Sequence, residues 1–260
     1  LSGAWNPAVF ERFGLPMPTL EICGPEVSGD VDGLKLVRVA GHDTACAVEG
    51  LGLRAGADAG VVFANLGTWA LVGAVRAGAD ASDAAREENF TNERTPWNEV
   101  RLLTNVPGFF ILNGLHRDLG RADAVSDWLH SADFSRTERI DAFDPALFAP
   151  ENMLDAVANQ LGRRDFSDAE WAGIGLASLA ETIADRAKAL GARSIRLSGG
   201  GSRHRGLCEA LARAAGVPVE VAPAESTLRG NLAIQFAALA GLSSGAPAPL
   251  PAETLEAFAV

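Results

Sequence analysis

The sequence has no tyrosine, few cysteines and a shortage of basic residues. Against 33 Asp and Glu stand 22 Lys and Arg, a net charge of −11, which argues against a nucleic-acid or anionic-membrane surface. The three cysteines form no CxxC pair, so a disulfide framework and a cysteine zinc site are disfavoured, and a reducing cytoplasm is expected. No run approaches the roughly 18 apolar residues of a membrane span, and the first residues lack a secretory pattern.

What the chain does have is enough length and hydrophobicity for a substantial core. Its 260 residues are 48% hydrophobic, which suits one large domain or two small ones. The first residue is not methionine, and the opening residues already follow a helical pattern. We therefore expect the chain to be part of a longer protein.

Apolar periodicity and turn signals predict an α/β fold with a mixed sheet flanked by helices. Residues 60–75 hold two apolar stretches about a polar centre, which indicates a hairpin. The other strands are predicted at 34–40, 99–106, 193–198 and 217–222. Helices are predicted at 43–53, 107–120, 167–190, 203–215 and 227–240.

Local signals predict how some of these helices begin and which faces they bury. Asp43 is expected to cap the first of them, and Ser167 with Glu170 forms a capping box. The apolar stripe of the last is expected to hold Leu228, Leu232 and Phe236.

The regions between these elements are harder to assign. Residues 1–33 are rich in turns and are expected to hold one short helix, whereas 76–99 is expected to be a long loop. Residues 121–131 either extend the preceding helix or start another, and 132–165 has no clear pattern.

Three consecutive glycines, residues 199–201, stand between a predicted strand and a predicted helix. A dinucleotide fingerprint would need glycine where His204 stands, and a P-loop would need lysine where Leu207 stands. Two interpretations remain: a tight turn without a ligand, or bare backbone whose N–H groups bind a nucleotide. An NAD-binding module also stays open, because Glu220 lies near the position of a ribose-binding acid.

A second glycine turn, NLGTW at 65–69, lies at the tip of the predicted hairpin. Gly67 bares backbone N–H groups and Thr68 adds a hydroxyl, which suits phosphate oxygens; an ordinary hairpin turn is the alternative. Asp43, at a strand–helix junction, either caps the helix or accepts the proton of an attacking hydroxyl. His42 beside it either orients a hydroxyl or is a plain loop histidine.

In this order, GHDTACA (41–47), NLGTW (65–69) and SGGGS (198–202) resemble the C-terminal half of the FGGY carbohydrate kinases, and among them most the rhamnulokinases. Supporting stretches extend the likeness over residues 1–245, which we interpret as one kinase lobe followed by a tail at 246–260. The N-terminal lobe of the family, with its D-x-G-T-T phosphate hairpin, has no counterpart in this sequence.

The resemblance implies an actin/hexokinase-like ATPase lobe (ribonuclease H-like), with sugar and ATP meeting in a cleft between two lobes. It implies that Asp43 is the catalytic base and that His42, Asp43, Thr44 and Asn105 bind the sugar. It implies nucleotide contacts from Gly67, Thr68, Asn113, Gly199, Gly200, Gly201 and His204.

Two of these positions depart from the family pattern. Asn113 stands where rhamnulokinases tend to carry glutamine, and His204 stands where asparagine commonly contacts adenine. Both substitutions keep a polar group, so they affect the detail of adenine binding and not the class of enzyme.

The activity implied is transfer of the γ-phosphoryl group of ATP to a ketose hydroxyl, with O1 of L-rhamnulose as the leading acceptor. L-Fuculose or a xylulose is the alternative acceptor, and a nucleotide-binding lobe without activity is the alternative class. Mg²⁺ is expected to bind through the nucleotide phosphates, without protein ligands. The expected partners are the sugar, ATP and the missing N-terminal lobe, with no nucleic acid and no membrane.

Overall fold

A computed structural model describes residues 5–19, 24–223 and 225–242 of the chain, which form eight strands and nine α-helices. The strands are β1 (Glu26–Val31), β2 (Leu34–Arg38), β3 (Val61–Leu66), β4 (Ala70–Arg76), β5 (Thr91–Arg94), β6 (Val100–Val106), β7 (Ser194–Ser198) and β8 (Val219–Val221). The helices are α1 (Pro7–Phe13), α2 (Asp43–Glu49), α3 (Asp83–Glu87), α4 (Gly108–Asp118), α5 (Val125–His130), α6 (Met153–Leu161), α7 (Asp168–Ala189), α8 (Arg205–Ala215) and α9 (Ser226–Leu239).

The central sheet has six strands in the order β5-β6-β4-β3-β7-β8. Neighbouring strands from β5 to β3 run antiparallel, whereas β3, β7 and β8 run parallel. The predicted α/β fold with a mixed sheet is therefore confirmed, and β3 and β4 form the predicted hairpin. Strands β1 and β2 pair separately as a two-stranded hairpin.

Helices cover both faces of the central sheet, so side chains on both faces of β3 are buried. Val62 and Ala64 belong to the main core with α4, α6 and α7, whereas Phe63 packs on the opposite face with Val48 and Leu51 at the end of α2. Successive side chains of a strand point to opposite faces. A strand buried on both sides reads as a continuous apolar run, as this one does.

The longest helix, α7, begins as its sequence predicts. Ser167 and Glu170 form the capping box, with the Ser167 hydroxyl accepting the Glu170 N–H and the Glu170 carboxylate accepting the Ser167 N–H. Trp171 and Ile174, three residues apart and so on one face of the helix, are both buried. Burial of this apolar face, more than helix propensity, stabilises such a helix.

Two predictions about loops are wrong. Residues 76–99 contain α3 and β5, and residues 1–33 contain β1 besides the short helix α1. Both added strands are short and half-polar, and each forms only because a neighbouring strand supplies its hydrogen bonds. The register of β5 against β6 pairs Thr91 with Leu103 and Arg94 with Val100. This pairing is tertiary information that local composition does not carry.

Two details of the helices also differ from prediction. Helix α2 is capped by His42, whose Nδ1 accepts the Ala45 N–H at 3.2 Å, so Asp43 is its first residue and not its cap. In α9 the predicted stripe does not face the core, since Leu228 is 54% exposed and the buried positions include Gly230 and Ile234. Small residues face inward there because α9 lies against the backbone of α2.

Two further points concern regions that the sequence left open. Residues 121–131 start a separate helix, α5, and do not extend α4. The proposed tail at 246–260 lies outside the described residues. Among the residues that are described, no helix combines the length and hydrophobicity needed to cross a bilayer.

Candidate active site

A cavity of about 670 Å³ opens where β3 ends and α2 begins. Its lining brings together residues from five separated parts of the chain: His42, Asp43, Thr44, Asn65, Gly67, Thr68, Trp69, Leu71, Glu93, Asn105 and Thr227. In open α/β sheets, ligands bind in the crevice at the carboxyl ends of the strands. The cavity occupies that position beside β3.

A second cavity of about 340 Å³ lies at the end of β7, and Ser198, Gly199 and Gly200 are among its lining residues. Asn65 and Thr227 line both cavities. Asn65 and Ser198 are partners in the parallel β3–β7 pair, and the Ser198 hydroxyl donates to Asn65 Oδ1 at 2.9 Å. The two cavities therefore adjoin along the border between β3 and β7.

Asp43 presents its carboxylate at the first position of α2, on the wall of the larger cavity. Its Oδ1 accepts the Thr44 N–H at 2.7 Å and lies 3.3 Å from the Thr44 hydroxyl. These contacts orient the group, and its exposure leaves it open to a ligand. An oriented, accessible carboxylate of this kind can accept a proton from a bound hydroxyl.

His42 is held through Nδ1 of its ring. Because Nδ1 accepts the Ala45 N–H, the ring proton is assigned to Nε2. Nε2 lies 3.7 Å from Oε2 of Glu93 on β5. The ring therefore connects the start of α2 to the edge of the sheet.

The glycine turn between β3 and β4 is fixed to the start of α4. The Thr68 carbonyl accepts the Phe110 N–H at 2.8 Å, and the Trp69 ring stacks on Phe110 with centroids 5.6 Å apart. Helix α4 has no side-chain cap, so this carbonyl satisfies one of its unpaired N–H groups. The Gly67 N–H donates to Trp69 O at 3.3 Å, a long bond that a stronger acceptor could replace.

The three consecutive glycines have three different environments. Gly199 has φ +81°, and a Cβ there would lie 2.7 Å from the Leu66 carbonyl oxygen. A Cβ on Gly201 would lie 2.4 Å from the Phe109 ring, whereas a Cβ on Gly200 would have nothing within 4 Å. Gly199 and Gly201 are thus required by the turn itself, and Gly200 has an open side available to a ligand.

Three predicted nucleotide contacts lie outside the lining of these two cavities. Gly201 packs on Phe109, and Asn113 is exposed one turn further along α4. His204 caps α8: Nδ1 accepts the Leu207 N–H at 3.1 Å, and Nε2 lies 3.0 Å from the Leu129 carbonyl. Both ring nitrogens of His204 are therefore engaged within the protein, and its contact with adenine stays a prediction.

Sequence reasoning missed several residues that line the larger cavity, namely Asn65, Trp69, Leu71, Glu93 and Thr227. A signal existed for Asn65, a polar residue inside an apolar strand and within the NLGTW motif. Glu93 and Thr227 reach the cavity only through the fold, from β5 and from the first turn of α9.

A buried ionic cluster lies beneath this wall. The Glu49 carboxylate accepts the Trp97 indole N–H at 2.7 Å, and its oxygens lie 3.3 Å from Arg101 and 3.4 Å from Arg54. Burial raises the pKa of Glu49, and the two guanidinium groups and the indole oppose that rise. In the described part of the chain no three His, Cys, Asp or Glu side chains gather as a metal site.

Comparison with known proteins gives the family of this chain. Residues 62–239 match the model of the FGGY family of carbohydrate kinases, C-terminal domain, which is more than half of the chain. The chain belongs to the FGGY family of carbohydrate kinases. The matched range runs from β3 through α9 and so includes both glycine turns.

Curated relatives of this FGGY chain include two rhamnulokinases. That of Bacillus subtilis is 29% identical over 228 residues, covering 80% of this chain and 45% of the relative. That of Klebsiella pneumoniae is 28% identical over 251 residues, covering 92% of this chain and 51% of the relative. The chain spans about half the length of the curated relatives it matches.

Solved structures agree on the fold. A xylulose kinase from Lactobacillus acidophilus superposes with TM-score 0.69 at 13% identity, covering 98% of this chain and 54% of that one. A gluconate kinase from the same organism gives TM-score 0.68 at 14% identity, with the same coverage. The FGGY chain thus has the actin/hexokinase-like ATPase fold of these sugar kinases.

Proposed function

We propose that this chain is the C-terminal lobe, residues 1–245, of an ATP-dependent carbohydrate kinase that phosphorylates a ketose hydroxyl. One observation carries the proposal: the Asp43 carboxylate and the 67–68 turn line one cavity, which adjoins the cavity at Gly199 and Gly200. Direct transfer between two bound substrates requires the general base and the phosphate-binding backbone to face one continuous site.

In this mechanism Asp43 accepts the proton of the attacking ketose hydroxyl. Phosphoryl transfer has a loose transition state in which the hydroxyl is deprotonated late, so a carboxylate can serve as the base. His42, Thr44 and Asn105 hold the sugar beside it. The protein contributes mainly orientation and charge stabilisation, which is the usual division of work in kinases.

The phosphate side is assigned to backbone amides. The long hydrogen bond of the Gly67 N–H and the open side of Gly200 leave room for phosphate oxygens near both turns, and the Thr68 hydroxyl adds a donor. The donors of this wall are amides and hydroxyls, which fit a nucleotide whose Mg²⁺ is held through its own phosphates. When bound, the ion neutralises charge on the transferring group.

We assign the base of the nucleotide to the region beyond the second cavity, near Gly201, Asn113 and His204. Since both nitrogens of His204 are engaged, adenine would meet the face of this ring and not its edge. Asn113 is exposed on α4 and could present its amide for such a contact.

For the acceptor we propose O1 of L-rhamnulose, in line with the names of the curated relatives. The larger cavity adds a physical argument, because Trp69 and Leu71 give it an apolar wall beside its polar one. A 6-deoxy sugar presents a methyl group together with hydroxyls, and such a wall accommodates the methyl. L-Fuculose and xylulose are the alternative acceptors.

The test is ADP formation by the complete kinase with ATP, Mg²⁺ and a panel of ketoses. We expect L-rhamnulose to give the highest kcat/KM. Asp43→Asn should lower kcat by about 10²- to 10⁴-fold, the usual contribution of a general base, and leave ATP affinity nearly unchanged. Near-normal turnover of this variant would remove Asp43 from the role of base.

A second candidate follows from the length of the chain, which spans about half of its relatives. By itself it would then be a lobe that binds nucleotide without turnover, and its partner would be the missing N-terminal half. ATP binding by the purified chain, with turnover recovered on adding that half, supports this. Binding of NADH in place of ATP would favour a dinucleotide module instead.

We also propose a cytoplasmic location. Of the cysteines that the structure describes, Cys46 is a buried free thiol and Cys208 a partly buried one. Burial raises the pKa of both thiols, so neither is poised for oxidation. Free, unreactive thiols suit a reducing compartment.

A further inference from the structure

We propose that Glu93 is a positioning residue that fixes the tautomer of His42 and thereby the first turn of α2, where Asp43 lies. The inference rests on the proposed kinase function, since it gives Glu93 a role in orienting Asp43, the proposed catalytic base. Two ionisable neighbours of Glu93, His42 and Arg101, lie outside both glycine turns, so the part proposed for it is positioning and not phosphate binding.

Glu93 is placed for this on β5, with its side chain 33% exposed on the wall of the larger cavity. Its Oε2 is buried and, in the described structure, accepts no hydrogen bond. That oxygen lies 3.7 Å from His42 Nε2 and 3.4 Å from Arg101 Nε. A buried carboxylate oxygen without a hydrogen bond is costly. The Arg101 guanidinium and the His42 ring N–H that face this oxygen offset part of that cost.

Arg101 anchors the carboxylate to the protein interior. Its side chain is 2% exposed, and its Nη1 donates to the Ala45 carbonyl at 3.2 Å and lies 3.3 Å from Glu49. Arginine stays charged at any ordinary pH, so this buried cation needs both carboxylates. Arg101 therefore holds Glu93 and contacts the first turn of α2 at the same time.

The effect on His42 follows from its two neutral tautomers. With the proton on Nε2, Nδ1 can accept the Ala45 N–H and cap α2; with the proton on Nδ1, that cap is lost. A carboxylate facing Nε2 stabilises the first tautomer, because it attracts the N–H dipole. Loss of the cap would free the turn that orients Asp43.

The test compares Glu93→Ala and Glu93→Gln with the wild type by ¹⁵N NMR of the histidine rings, with His42 assigned through a His42→Gln variant. In the wild type we expect the neutral ring of His42 in the Nε2–H form. In Glu93→Ala we expect a mixture of tautomers, with kcat of the complete kinase lowered about 10- to 100-fold through misplacement of the base. Glu93→Gln, which keeps an oxygen acceptor, should recover part of both.

Glu87→Ala is the matched control, since Glu87 is exposed on α3; it should change neither readout. A pure Nε2–H form in Glu93→Ala overturns the proposal, and lowered turnover with that pure form would mean that Glu93 contacts the sugar directly. If Glu93→Ala fails to fold, unchanged tautomer and turnover in Glu93→Gln overturn it, and a joint change supports it. Absence of turnover in the wild type would defeat the kinase function alone, because the tautomer measurement needs no substrate.

Discussion

Gly50, just after α2, and Gly230, in α9, meet backbone to backbone. A Cβ on Gly230 would lie 2.6 Å from the Gly50 amide nitrogen and 1.9 Å from the Cys46 carbonyl oxygen, and a Cβ on Gly50 would lie 2.0 Å from the Ser226 carbonyl oxygen. Both helices begin at the larger cavity, with Asp43 in α2 and Thr227 in α9. This close crossing therefore fixes two walls of the site relative to each other.

Gly230→Ala should destabilise the protein. Helix propensity favours alanine by about 1 kcal/mol, but a Cβ 1.9 Å from a backbone oxygen forces the helices apart, and overpacking of this kind costs about 1–3 kcal/mol or more. The steric cost should therefore exceed the gain in helix propensity, and urea unfolding should show a lower free energy of unfolding for the variant. Gly78→Ala, where a Cβ meets nothing within 4 Å, is the control and should change little; a stabilised Gly230→Ala would contradict the packing argument.

Gly200→Ala and Gly199→Ala should separate ligand binding from folding. We expect Gly200→Ala to keep its free energy of unfolding within about 0.5 kcal/mol and to weaken ATP binding, since its new methyl points into open space near the second cavity. Gly199→Ala should cost about 1–3 kcal/mol because of its positive φ and its contact with Leu66. Unfolding curves and equilibrium dialysis with ATP measure the two effects, and equal ATP affinity of Gly200→Ala and wild type would argue against a nucleotide at this turn.

His204→Ala should lower stability, and His204→Asn should restore most of it. The ring of His204 caps α8 through Nδ1, and loss of an N-cap costs about 0.5–2 kcal/mol. Asparagine is a strong N-cap residue, so it replaces this bond but not the contact with Leu129. Thermal unfolding of the two variants checks the order, and equal loss in both would show that the Leu129 contact is the important one.

Asp118→Asn should reduce stability most at neutral pH. The Arg117 side chain, followed by the Met153 and Leu154 N–H groups, lowers the pKa of Asp118, whose side chain is 8% exposed. A carboxyl whose pKa is lowered by folding contributes fully above its ordinary value, about 3.9, and loses that contribution as the pH falls through the lower, folded value. The difference between wild type and Asp118→Asn in urea unfolding should therefore shrink below about pH 4. The exposed Asp127, changed to Asn, is the control, and a difference that does not shrink on acidification would contradict this account.

The sequence predicted most helices and strands because apolar periodicity and caps are local signals. The capping box at Ser167 and Glu170 and the β3–β4 hairpin are examples in which neighbouring residues decide the structure. Strand β5 was missed because its partner β6, and not its own composition, makes it a strand. The inward face of α9 was predicted wrongly because close packing against the backbone of α2 requires small residues there.

For the site, the motifs predicted which regions converge, since Asp43, Thr68 and Asn105 all line one cavity. They did not predict how each residue is held. The capping of α2 by His42 in place of Asp43 was not predicted. Nor was the close packing of Gly199 against Leu66 and of Gly201 against Phe109, which depends on contacts between distant segments. Local sequence contains no record of such distances.

Asn65 and Thr227 stand on the border of the two cavities, and this shared border has a thermodynamic consequence. If ketose and nucleotide occupy one cavity each, a change in the position of these side chains on binding the first ligand alters the cavity that binds the second. Linkage then requires reciprocity: the factor by which bound ketose changes the dissociation constant of the nucleotide equals the factor by which bound nucleotide changes that of the ketose.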